Sequence, residues 1–150
     1  MKTTWIVVAN SSQARFFTAD TATGPIAEFH DLVHSESRLH ARDITSDLPG
    51  KGSDRRGAGH HGLDSQTPIK KRESSQFAHE VSEYLNHARG TSQFSRLVVV
   101  AAPAFLGELR ATLDKDTASM VISWIEKNLA TDSIEKIRSS LPDRLWGLLD

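Results

Sequence analysis

Thr4-Trp5-Ile6-Val7-Val8-Ala9 is apolar at every position after its threonine. In a strand, Trp5, Val7 and Ala9 share one face and Ile6 and Val8 the other, so both faces need cover. Arg96-Leu97-Val98-Val99-Val100-Ala101-Ala102 has the same character. Two strands that are apolar on both sides call for helices on both faces of one sheet, which sets the class as α/β.

Outward from the first strand, Asn10 to Gln13 is a polar connection of hairpin length to a second strand, Ala14–Ala19, carrying Phe16 and Phe17. Gly24-Pro25 marks a turn into a third, Ile26–Val33. Further on, Thr67 suits a helix N-cap and Pro68 the first helical position. Phe77, Val81, Tyr84, Leu85 and Ala88 then recur at helical spacing, which predicts a helix from Pro68 to Arg89 closed by Gly90. Pro103 opens a second helix with Phe105, Leu106, Leu109 and Leu113. Met120 to Ile125 reads as a strand because of Val121 and Ile122, with helix as the alternative. Thr131 can cap a last helix carrying Ile134, Ile137 and Leu141, and the tail from Pro142 to Asp150 reads as another turn of helix. The order is three strands, helix, strand, helix, strand, helix. Three antiparallel strands followed by right-handed crossovers to parallel strands make an RNase H-like mixed sheet; a doubly wound sheet is the runner-up.

The 150 residues suit one domain, 1–150. A net charge of -1 gives no global attraction to polyanions. With no cysteine there is no disulfide framework, thiol nucleophile or thiolate metal site, which fits a reducing compartment. The apolar run at the N-terminus is too short for a signal peptide, and no run approaches the ~20 residues of a membrane helix. A cytoplasmic location is the expectation, and a homo-oligomer is possible.

Composition changes sharply over 35–66. This stretch holds only six apolar residues and five of the nine glycines, Gly50, Gly52, Gly57, Gly59 and Gly62. It reads as a long basic Gly/His-rich loop inside the domain, and loops of that length are usually functional or disordered. From Arg38 to Arg72 the bases Arg38, Arg42, Lys51, Arg55, Arg56, Lys70, Lys71 and Arg72 face the acids Asp43, Asp47, Asp54 and Asp64. Eight against four leaves +4, so the remainder carries -5 to reach the total of -1. Such a local excess attracts phosphate. The candidate contacts are Lys51, Arg55, Arg56, Lys70, Lys71 and Arg72, with close backbone approach at Gly57, Gly59 and Gly62 and with His60 and His61 at the tip. No aromatic lies between Phe29 and Phe77, so base stacking is not the expected mode there. A solvated loop without a ligand fits the same composition.

Other chemistry finds less support. A two-metal nuclease needs clustered carboxylates, and the strands Trp5–Ala9 and Leu97–Ala101 carry none. His60-His61 shows no fixed spacing to a third ligand, so no metal and no cofactor are expected. Ser11-Ser12 and Ser74-Ser75 lack a nucleophile-elbow context and read as turn and helix-surface serines. His30, His34, His79 and His87 read as partly exposed surface positions.

The chain resembles the bacterial host attachment protein family. The resemblance is carried by Trp5–Ala9 with Ala14-Arg15-Phe16-Phe17, by Leu32-Val33-His34 leading to Arg38-Leu39 and Arg42-Asp43, and by Asp47-Leu48-Pro49-Gly50. It continues through Phe77-Ala78-His79-Glu80-Val81 and Leu97 to Pro103 with Phe105-Leu106-Gly107. That family is similar in turn to the RNase H-like middle domain of archaeal–eukaryotic peptide-chain release factors and their ribosome-rescue relatives. Those domains carry a basic Gly-rich loop leading into a long helix. Their loop ends in Gly-Gly-Gln, which promotes peptidyl-tRNA hydrolysis. Here the loop reads Arg55-Arg56-Gly57-Ala58-Gly59-His60-His61-Gly62, and Gln66 lies beyond the glycines. The resemblance therefore implies a non-catalytic ribosome- or tRNA-binding factor of the translation-stress, rescue or hibernation kind. The family's name implies a protein-interaction module acting in attachment to host cells.

Overall fold

The computed structural model describes residues 2–34 and 58–147, with side chains described for 2–34 and 72–147. The strands are β1 (Thr4–Ala9), β2 (Gln13–Ala19), β3 (Ile26–Val33), β4 (Arg96–Ala101) and β5 (Val121–Glu126). The described helices are α1 (Ala58–Gly90), α2 (Pro103–Thr112), α3 (Lys115–Ala118) and α4 (Ile134–Ser139).

The five strands form one mixed sheet in the order β3-β2-β1-β4-β5. β1 pairs antiparallel with β2, and β2 antiparallel with β3. β4 lies parallel to β1 on its other side, and β5 parallel to β4. β1 and β4 are buried at every position, as their unbroken apolar runs require. Trp5, Val7, Ala9, Phe16, Leu97 and Val99 pack on one face with α1 and α2. Ile6, Val8, Phe17, Val98 and Val100 pack on the other under α4 and the C-terminal segment, with Leu129, Ile137, Leu141 and Leu145.

The C-terminal segment is held by arginines. The Arg138 guanidinium donates to the carbonyls of Gly24 (2.8 Å), Pro142 (2.9 Å) and Asp143 (2.9 Å). Arg96 donates to Thr4 Oγ1 at 2.8 Å and lies 4.0 Å from the Trp146 ring centroid. Arg15 grips both carboxylate oxygens of Glu28 and also reaches the carbonyls of Ala130 and Asp132, so that β2, β3 and the segment before α4 are tied at one point. Glu28, by hydrogen bond and charge, holds the Arg15 pKa above its ordinary value.

Several expectations are corrected. Helix α1 begins at Ala58, so residues 58–66 are helical and not loop. Thr67 and Pro68 lie inside the helix. A Thr-Pro pair permits a helix start, but a proline inside a helix, which removes one i→i−4 bond and crowds the i−4 carbonyl, does not bar helix upstream of it. Residues 35–57 lie outside the described residues. The last helix is capped by Ser133, whose Oγ accepts from the Lys136 amide, and not by Thr131. Residues 142–147 form no helix: the Pro142 and Asp143 carbonyls accept from Arg138, and the Leu145 amide donates to Ala22 O. Helix α3 was not anticipated; Asp114 caps it by accepting from the Thr117 amide at 2.7 Å. That bond, with the nearby Arg89, holds the Asp114 carboxyl below the usual carboxylate range.

Gly90 is the last residue of α1 but has no positive φ. The left-handed position is Ser92, at φ 61°. The Ser92 amide donates to Arg89 O and the Gln93 amide to Ala88 O, both at 2.9 Å, a Schellman ending with serine where glycine is usual. Ser92→Gly relieves that strain at the cost of a more flexible unfolded chain. The expected result is a net gain of about 0.5–1 kcal/mol, read as a rise of about 1–4 °C in thermal midpoint.

Candidate nucleic-acid interface and the helix that carries it

From Ser74 to Arg89, α1 is fastened on three sides. Phe77, Ala78, Val81, Leu85 and Ala88 follow helical spacing and are buried against the sheet and α2. On the side facing α2, Ser74 and Ser75 donate to the two carboxylate oxygens of Glu108 at 3.0 and 3.2 Å. Ser82 and Thr112 hydroxyls meet at 2.6 Å. Arg89 ends the row on Asp114 (3.5 Å) and Thr117 Oγ1 (3.0 Å). On the side facing β3, Tyr84 stacks on His30 at 4.7 Å. Ser74 and Ser75 thus join two helices, beyond the surface role read for them in the sequence.

The basic candidates divide around this fastened half. Lys51, Arg55, Arg56 and Gly57 lie outside the described residues. Gly59, His60, His61 and Gly62 occupy the first turns of α1 and not a loop tip, and Lys70 and Lys71 lie further along the same helix. Arg72 is exposed, five positions before the first buried residue, Phe77. A guanidinium there needs no change in the core to meet an anion.

The described chain before residue 35 ends on an anchored residue. His34, read from sequence as a surface position, is 2% exposed. Its amide donates to Ser12 O at 2.9 Å, and its ring stacks on Phe77 at 5.2 Å. Phe77 meets Phe105 of α2 at 5.8 Å. His79 and His87 are exposed and His30 half-buried, as expected. No group of three metal-ligating side chains occurs among the described residues.

Sequence reasoning missed the aromatic strip at the outer edge of this face, where Phe29 meets Trp5 and Phe16 and His30 stacks on Tyr84. The only available signal was Phe29 beside His30 in a strand of otherwise mixed character.

Residues 5–141 match the family model described as "Protein required for attachment to host cells". The chain belongs to this host attachment family. The match runs from β1 through α4 and takes in both fastened ends of the basic segment. No curated protein matches the sequence. A solved structure, the type II variant of the Aquifex aeolicus Ppx/GppA phosphatase, is similar over 84% of this chain and 36% of its own, at 12% identity and a TM-score of 0.38. The host attachment chain thus spans about a third of that protein's length, and a likeness at this score assigns no activity to it. Among the described residues, no helix is long and apolar enough to cross a membrane.

Proposed function

We propose that this chain is a non-catalytic ribosome- or tRNA-binding factor that meets RNA phosphate through the basic segment and the start of α1. The observation that carries the reading is the charge asymmetry: +4 over residues 38–72 against -5 for the rest. Charge so divided draws the basic segment toward a polyanion, while the rest of the chain contributes no such attraction. The fastening of α1 from Ser74 onward supports it, because a rigid mount lowers the ordering cost of contacts made from the helix.

The strand order β3-β2-β1-β4-β5, antiparallel then parallel, supports an RNase H-like sheet and, with it, kinship to release-factor middle domains. A second reading, a protein-interaction module acting in attachment, is favoured by the family's description.

Equilibrium binding to purified ribosomes and to tRNA across a salt series separates the two. A phosphate-binding factor loses affinity steeply and linearly in log–log form as salt rises. Weak, salt-indifferent binding to both would overturn the RNA reading.

A further inference from the structure

We propose that the strip where β3 meets α1 docks an arginine-bearing basic segment of a partner protein.

The strip begins with a bulge. Phe16 pairs with His30 and Phe17 with Glu28, leaving Phe29 as an extra residue. A bulge re-aims side chains, and here it brings two consecutive residues to one face. Phe29 lies 4.7 Å from Trp5, while His30 lies 5.7 Å from Phe16 and stacks on Tyr84 at 4.7 Å and 16°. Trp5 and Phe16 are buried, whereas Phe29 is 43% exposed and His30 and Tyr84 are half-buried. Three rings linked through Trp5 and Phe16 therefore reach solvent at the edge of the sheet.

The flanking charge is negative. On α1, Glu80 and Glu73 stand four and eleven residues before Tyr84, within about 40° of it around the helix axis. From Glu73 to Ala88 the helix carries Glu73, Glu80 and Glu83 and no lysine or arginine. Arg89 is turned to Asp114 on the other flank. Aromatic faces beside carboxylates attract a cation and repel phosphate. A planar guanidinium, which stacks and pairs at once, fits better than an ammonium.

Two other part-exposed rings among the described residues are met in this way: Arg96 lies over Trp146 at 4.0 Å and Arg110 over Trp124 at 4.6 Å. Among the described residues no arginine covers Phe29, His30 or Tyr84. A partner's arginine completes the pattern.

The test uses the full chain with three synthetic peptides of alternating glycine and arginine, lysine or glutamine, and a uridine oligonucleotide. Binding is followed by anisotropy and mapped by NMR. The arginine peptide is expected to move the Phe29, His30 and Tyr84 resonances and to bind more tightly than the lysine peptide, with the glutamine peptide inert. Glu73→Gln with Glu80→Gln, both surface changes, and separately Phe29→Ala, should each weaken it about threefold to tenfold. The glutamate pair keeps the test open if Phe29→Ala fails to fold. No binding, shifts confined to other surfaces, affinity indifferent to these variants, or equal or tighter occupation of the strip by the oligonucleotide would each overturn the proposal.

Discussion

Phe77→Ala is expected to lower the stability of the domain by about 3–5 kcal/mol, the usual loss for truncating a buried phenylalanine. Phe77 has no exposed surface and stands where three elements meet: its own helix α1, the end of β3 through His34 at 5.2 Å, and α2 through Phe105 at 5.8 Å. Truncation removes the ring and leaves a cavity that two fastened helices cannot collapse to fill. Domains of this size are stable by about 5–15 kcal/mol, so the loss takes a large share of the total. Urea unfolding followed by tryptophan fluorescence reads it as a much lower midpoint. The neighbouring exposed Gln76→Ala should stay within about 0.5 kcal/mol of the parent. Equal midpoints for the two variants would show that Phe77 does not hold the three elements together.

Arg55→Ala combined with Arg56→Ala has the largest expected effect on function. If each guanidinium neutralises one phosphate, removing both takes about two units from the slope of log affinity against log salt, about one per contact. The affinity loss is then greatest at low salt and shrinks as salt rises. Circular dichroism and the thermal midpoint of the double variant, compared with the parent, separate a loss of binding from a loss of folding. A parallel downward shift with an unchanged slope would assign these arginines a role other than phosphate contact.

The sheet was legible because its central strands announce themselves. Trp5–Ala9 and Leu97–Ala101 are apolar on both faces, and the structure covers both. The buried stripe of α1 was legible from Phe77, Val81, Leu85 and Ala88 at helical spacing. What failed was local punctuation. Thr67-Pro68 reads as a start because its chemistry suits one, yet the same two residues lie inside a helix, at the cost of one hydrogen bond and a crowded i−4 carbonyl. Thr131 and Ser133 are both competent caps, and only the geometry selects Ser133. Gly90 suggested the left-handed position, but Ser92 two residues on occupies it.

Long-range partners were the least legible. His34 owes its burial in part to Phe77, 43 positions along the chain, and no window around His34 reveals that. Residues 142–147 miss helix because Arg138 and Ala22 draw their carbonyls and amide away. Of the proposed phosphate contacts, Arg72 stands exposed on α1, while Lys51, Arg55 and Arg56 lie outside the described residues. The aromatic strip escaped notice because the bulge that assembles it depends on pairing between β2 and β3.

The central claim is that this host attachment family chain engages RNA phosphate on ribosomes. Sucrose-gradient sedimentation of a stationary-phase lysate, run at low and at high salt and probed for this protein, tests it most directly. The account predicts comigration with ribosomal fractions at low salt and release to the top of the gradient at high salt. Absence from every ribosomal fraction at both salts would contradict it.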